Sequence, residues 1–134
     1  MYKKTVNYTD YNDVQRTETF YFNLTKAEVL EMELGTVGGL SAMIQGVIDA
    51  KDTPALIKIF KNLVLKAYGE KSADGKRFIK SPELSEAFSQ TAAYSDIFME
   101  LATNDVEAAN FVKGITPPGL DEYAQKSQNV KPVE

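Results

Sequence analysis

The stretch Arg16-Thr17-Glu18-Thr19-Phe20-Tyr21-Phe22-Asn23-Leu24-Thr25-Lys26-Ala27-Glu28-Val29 changes its hydrophobic period part-way along, and that change decides the fold. From Val14 up to Phe22 the residues alternate, with Phe20 and Phe22 on one side and Thr17, Thr19 and Tyr21 on the other, which is the period of a half-buried strand. At Leu24 the alternation stops and a helix start takes over. Thr25 is placed as N-cap, Glu28 three residues later reaches back to complete a capping box, and Leu24 staples onto Val29.

Toward the N-terminus, residues 2–8 alternate in the same way, with Tyr2, Val6 and Tyr8 sharing the parity of Phe20 and Phe22, and Thr5 and Asn7 the other. Asp10-Tyr11-Asn12-Asp13 lies between the two runs and supplies short polar side chains that close turns through their own backbone. The pattern predicts a β-hairpin over residues 2–23. A lone hairpin is marginal in water, so its aromatic face must lie on helices.

Toward the C-terminus, the first helix runs to about Leu34, where Gly35 and then Gly38-Gly39 break it. A second amphipathic stretch carries Leu40, Met43, Ile44, Val47 and Ile48. Thr53-Pro54 is the N-cap and first-turn proline of a third helix, which ends near Tyr68 with Gly69 placed as a left-handed cap. On this helix Leu56, Ile57, Ile59, Phe60, Leu63, Val64 and Ala67 fill about half the circumference. Lys58, Lys61, Asn62 and Lys66 take the rest, with Leu65 among them. Residues 70–80 read as a polar loop with turn chemistry at Ala73-Asp74-Gly75-Lys76, anchored only by Phe78-Ile79, where a short extended excursion fits. Ser81-Pro82-Glu83 opens a fourth helix through Phe88. Residues 92–102 form a fifth, with Tyr94, Ile97, Phe98 and Leu101 at inward-packing spacing. Asn104-Asp105-Val106-Glu107 repeats the cap-plus-glutamate pattern for a last helix ending at Gly114, and Thr116-Pro117-Pro118-Gly119 forbids its continuation. The expected fold is mostly α: one small helical domain over residues 1–115, its N-terminal hairpin packed on about five to six short helices, followed by a flexible C-terminal tail at 116–134.

Composition narrows the function. The chain has 134 residues, 43% hydrophobic and 25% charged. That is the length of one domain and the make-up of a globular one, far from the low-apolar mixtures that stay disordered. Without cysteine there is no disulfide framework, thiolate metal site or thiol nucleophile, and a cytosolic address is expected. No apolar run approaches the roughly 20 residues that span a bilayer. Met1-Tyr2-Lys3-Lys4-Thr5 leads into an alternating pattern rather than a signal-peptide core, so neither export nor membrane insertion is expected. A net charge of -4 and a pI near 4.9 give no electrostatic reason to approach nucleic acid.

Catalytic chemistry has little to stand on. Histidine and cysteine are both absent, and with them the commonest general base, zinc ligands and activated nucleophiles. Glu31 and Glu33, two apart on a helix, point in different directions, and Asp10 and Asp13 are accounted for by the turn. Gly35-Thr36-Val37-Gly38-Gly39 invites a phosphate-loop reading, but no Lys-Ser or Lys-Thr follows and the flanks look helical, so a helix break is the better account. The basic cluster Lys71, Lys76, Arg77 and Lys80 is interleaved with or adjacent to Glu70, Asp74 and Glu83, as in a solvated loop. No catalytic residue, metal site or cofactor is expected. What remains is apolar side chains off the core stripes: Met32, Met43, Leu65 and Met99 are the candidate partner-binding residues, the methionines for their adaptability.

The chain resembles the phage tail assembly chaperones of long-tailed phages and prophages of Gram-positive bacteria. The likeness runs from about Asp10 to Ile115. It is carried by Tyr8-Thr9-Asp10-Tyr11, Arg16-Thr17-Glu18-Thr19-Phe20-Tyr21-Phe22-Asn23-Leu24-Thr25, Leu65-Lys66-Ala67-Tyr68-Gly69-Glu70-Lys71-Ser72, Arg77-Phe78-Ile79-Lys80-Ser81, Glu86-Ala87-Phe88-Ser89-Gln90-Thr91 and Phe98-Met99-Glu100-Leu101-Ala102. The resemblance implies a non-enzymatic protein of the host cytoplasm that binds the long, helical, aggregation-prone tape measure protein. It would keep that client soluble, promote tail tube polymerisation around it, and be absent from the mature virion. Several copies would bind along one client, with self-association among them as a further expectation. The resemblance also implies a tail tube partner, recruited through a frameshift-extended form whose extra domain would attach after Thr116-Pro117-Pro118-Gly119. The main rival is a structural completion or connector protein retained in the virion; a small enzyme or nucleic-acid binder is disfavoured by the missing histidine and cysteine and by the acidic balance.

Overall fold

The computed structural model describes residues 1–33, 49 and 53–117. Strands β1 (Tyr2–Thr9) and β2 (Gln15–Phe22) pair antiparallel along their whole length, from Tyr2 opposite Phe22 to Thr9 opposite Gln15. The Asp10 carboxylate closes the turn between them by accepting the backbone N–H groups of Asn12 (2.8 Å) and Val14 (3.0 Å). Asp13 takes a left-handed φ of 61°, a conformation that short polar side chains tolerate. The alternation sorts the faces as the period requires: Val6, Tyr8 and Phe22 are buried, while Thr5, Asn7, Thr17 and Thr19 face solvent.

Helix α1 (Lys26–Glu33) begins with both halves of the capping box in place. The Thr25 N–H donates to Glu28 Oε1 at 2.8 Å, and the Glu28 N–H donates to Thr25 Oγ1 at 3.1 Å. Leu24 and Val29 are both buried in the core. Helix α2 (Thr53–Ala67) follows in the described part of the chain and leads without a turn into β3 (Tyr68–Lys71). Strand β4 (Phe78–Ile79) comes next, then α3 (Pro82–Ser89), α4 (Ala92–Thr103) and α5 (Asp105–Ile115).

The expectation of a mostly helical domain carrying a lone hairpin is overturned. The hairpin is half of a four-stranded antiparallel sheet of order β1-β2-β3-β4, accompanied by five helices among the described residues, so the class is α+β. Tyr68 pairs with Phe22 and Gly69 with Tyr21; Glu70 then pairs with Ile79 and Lys71 with Phe78. The physical reason is that a two-stranded ribbon leaves one aromatic edge open, and the segment after α2 closes part of it. The junction is fixed by Asn23, whose N–H donates to the Ala67 carbonyl at 2.9 Å.

Gly69 is therefore not a left-handed helix cap; among the described glycines only Gly75 has positive φ. Glycine is required at 69 by close approach, since a Cβ there would lie 2.7 Å from Phe78 Cε2 and 2.8 Å from the Ile79 carbonyl oxygen. The turn from β3 to β4 does carry the expected chemistry. Asp74 Oδ1 accepts from Ser72 Oγ and the Lys76 N–H, and Gly75 sits at φ 75°.

The core lies where the sheet's aromatic face meets α2, α3, α4 and α5. Phe22 is fully buried at its centre, with ring centroids 5.7 Å from Phe111, 5.8 Å from Phe88, 6.0 Å from Tyr68 and 6.1 Å from Tyr2. Two polar ties hold strands to helices at the edge of this core. Lys4 Nζ reaches Glu100 at 2.8 Å and Glu107 at 3.4 Å, linking β1 to α4 and α5. Lys80 Nζ donates to the Asn23 carbonyl at 2.7 Å and to Glu28 at 2.9 Å. Asn104 caps α5 by accepting the Glu107 N–H, but the Glu107 side chain does not complete a capping box. The Asn104 N–H is already bound to the Glu100 carbonyl, and the Glu107 carboxylate instead takes Lys4 and the Tyr2 hydroxyl. The expected second helix with Met43, the glycine bend at residues 35–39 and the tail from Pro118 onward lie outside the described residues.

Candidate binding surface

Three of the four candidate partner-binding residues can be located. Leu65 is half-buried and lines an open groove between α2, α3 and α4. Met99 is exposed on α4, with 56% of its surface accessible. Met32 is half-buried and packs against the core, while its neighbour Leu30 is exposed. Met43 lies outside the described residues.

The groove on the helical side has a volume of about 650 Å³. Its α2 wall is Ile57, Lys61 and Leu65, spaced by four and therefore in a row on one face. Ile57, assigned by the helical wheel to the buried half, is 41% exposed. The opposite wall is Tyr94 and Phe98 of α4, whose rings stack at 5.9 Å, and α3 contributes Ser85, Glu86 and Ser89. Sequence reading placed Tyr94 and Phe98 inward with Ile97 and Leu101; in the fold Ala93, Ile97 and Leu101 are buried and the two aromatics stand at the margin. The signal present in the sequence was Leu65, an apolar residue among the lysines of α2.

Hydrogen bonds join these walls. Ser81 caps α3 by accepting the Leu84 N–H, with Pro82 in the first turn. The Ser85 hydroxyl donates to the Leu65 carbonyl at 2.8 Å, binding α3 to α2. Thr91 accepts the Tyr94 N–H at 3.1 Å and donates to the Phe88 carbonyl at 2.7 Å, so the residue that starts α4 also orients Tyr94. The Tyr94 ring sits edge-on to Phe88 at 5.4 Å, and burial raises its pKa, keeping the phenol neutral. Lys61 and Glu86 put one charge of each sign among the lining residues. Such a surface can take an apolar stripe with a polar margin. Among the described residues no group of three or more acidic side chains could hold a metal ion.

The family described as phage tail assembly chaperone matches this sequence over residues 1–134. The chain belongs to that family. No curated protein and no solved structure matches it. The groove is thus a surface of a tail assembly chaperone, a family that points to protein partners in tail assembly. Tail assembly chaperones are a non-catalytic kind of protein.

Proposed function

We propose that this chaperone holds amphipathic helical segments of the tape measure protein in the groove between α2, α3 and α4, keeps that client soluble, and yields it as tail tube subunits polymerise around it. The observation that carries the reading is the row Ile57-Lys61-Leu65 facing Tyr94 and Phe98. Ile57 and Leu65 are separated by about 12 Å along the helix axis, so the wall matches about two turns of a docked helix with anchors at i, i+3 or i+4, and i+7. Binding by one such groove is modest, which suits a client that must be released. Copies arrayed along a long client raise each other's effective concentration and give secure coverage without tight single contacts. In this account the protein works in the host cytoplasm, meets the tail tube protein through a longer frameshifted product, and is absent from the finished particle. Co-expression with the cognate tape measure protein tests it: co-purification and a shift of the client from the insoluble to the soluble fraction are expected. A client that stays insoluble and uncaptured with both proteins expressed, or this chain found stoichiometrically in purified virions, would overturn it.

A further inference from the structure

Strand β2 outruns β3. All eight residues of β2 pair with β1, but on the other side only Tyr21 and Phe22 pair with β3, because β3 turns away after Gly69 to meet β4. Over residues 15–20 the outer edge of β2 has no ladder partner among the described residues. A cleft of about 610 Å³ opens in the wedge beside it, between β2, β3 and α3. Its floor is aromatic: Phe20 lies 5.4 Å from Phe88 and 6.5 Å from Tyr68, and Tyr68 stacks on Phe88 at 4.1 Å and 7°.

Two carboxylates flank this floor on the same face of the sheet. Glu18 has the parity of Phe20, and Glu70 that of Tyr68; both line the cleft and both are exposed. Neither forms an ion pair among the described residues; each accepts only a tyrosine hydroxyl, Glu18 from Tyr8 at 2.5 Å and Glu70 from Tyr68 at 3.5 Å. Burial, then Glu70, then Glu18 push the Tyr68 phenol up to about 12, so both negative charges are felt at one point of the cleft. The nearby cations are engaged elsewhere. Arg16 is bound to Asp10, and Lys71 Nζ sits 4.5 Å over the Tyr21 ring, which has the opposite parity and so the opposite face.

An unpaired strand edge offers backbone donors and acceptors to an incoming extended segment, and the side chains beside it select which segment enters. We propose that the β2 edge over residues 15–20 and the adjoining cleft form a second docking site, which takes an extended segment of a partner protein by strand addition. On the face over the cleft that segment carries an apolar residue against Phe20 and, two positions away, a lysine or arginine between Glu18 and Glu70. The site is distinct from the α2–α4 groove and does not rest on the reading of that groove. A free edge protected merely by its charges would not need an aromatic-floored wedge at its side.

The test uses the full chain labelled with ¹⁵N and a synthetic heptapeptide, Thr-Lys-Thr-Val-Thr-Lys-Thr with blocked ends. Saturable shifts confined to amides of residues 15–20 and 68–71 are expected, with slowed exchange of the outward-facing β2 amides. Replacing the lysines by glutamates should abolish binding, as should replacing the threonines that flank valine by proline. The variant carrying both Glu18→Lys and Glu70→Lys, both exposed positions, should keep the far-ultraviolet circular dichroism of the parent and weaken binding roughly tenfold. Equal binding of the glutamate or proline peptide would overturn the proposal, as would shifts mapping elsewhere or no binding at millimolar peptide. Edge amides already protected in a concentration-dependent dimer would also overturn it, by assigning the edge to a second copy of the chain.

Discussion

Replacing Gly69 by alanine tests why the sheet closes where it does. The added methyl would stand 2.7 Å from Phe78 Cε2 and 2.8 Å from the Ile79 carbonyl oxygen, whereas ordinary contact begins at 3.4 Å. The Phe78 ring must retreat by about 0.7 Å and the carbonyl by about 0.6 Å. The ring can swing outward, being only half-buried, but the carbonyl belongs to the β3–β4 ladder and moves only if the pairing loosens. Overpacking of this kind costs about 1–3 kcal/mol, and the entropy removed from the unfolded chain returns about 0.4–1 kcal/mol. A net loss of about 1–2 kcal/mol is expected, which lowers the melting temperature of a domain this size by about 4–8 °C. Urea and thermal unfolding followed by circular dichroism would measure it. Gly69→Asn separates this account from a left-handed cap, where asparagine is favoured over alanine: close approach makes the larger asparagine the worse of the two. Alanine without effect, or asparagine more stable than alanine, would refute the reasoning.

Phe22→Ala removes the ring on which four others converge and should cost about 4 kcal/mol, read as a lower urea midpoint with little change in slope; a loss under about 1 kcal/mol would mean that the core is not centred there. The Lys80–Glu28 tie makes stability depend on pH. Burial raises the Glu28 pKa, but the hydrogen bond from Lys80 and that from the Thr25 backbone outweigh it, so the folded value lies below the ordinary 4.5. The contribution is therefore complete above pH 4.5 and is lost as pH falls through the folded value. Lys80→Met should cost about 0.5–1 kcal/mol at pH 7 from this partly exposed pair. The deficit should shrink toward pH 3, leaving the pH-independent loss of the bond to the Asn23 carbonyl; a deficit constant with pH would remove Glu28 from the account.

The hairpin, its inward face and the first helix start were legible because each is a local code. The alternation from Tyr2 to Tyr8 and from Val14 to Phe22 marks the two strands and their inward face, although Val14 itself is exposed just outside β2, and Thr25 with Glu28 satisfies backbone groups within one turn. Of the other half of the sheet only the short extended excursion at Phe78-Ile79 was legible; β3 and the pairing were not, because β3 has four residues and β4 two, too few for a period to show. Their pairing is decided by Phe22, distant in sequence, and Gly69 has the same letter whether it caps a helix or makes room for Phe78. Glu107 misled for a related reason: a glutamate three residues after a cap is a local signal, but Tyr2 and Lys4 compete for it across the whole chain. At the groove, Leu65 stood out among lysines. Ile57, Tyr94 and Phe98 did not, since a residue at the margin of a core stripe has the same spacing as one at its centre.

The most direct test of the account is capture of co-expressed tape measure protein by Ile57→Asp, beside a control bearing Val106→Asp on α5, where the native valine is 70% exposed and outside the groove. With both variants folded, the account predicts that the control retains the client like the parent and that Ile57→Asp loses it. Equal capture by both would contradict the assignment of the groove as the client site.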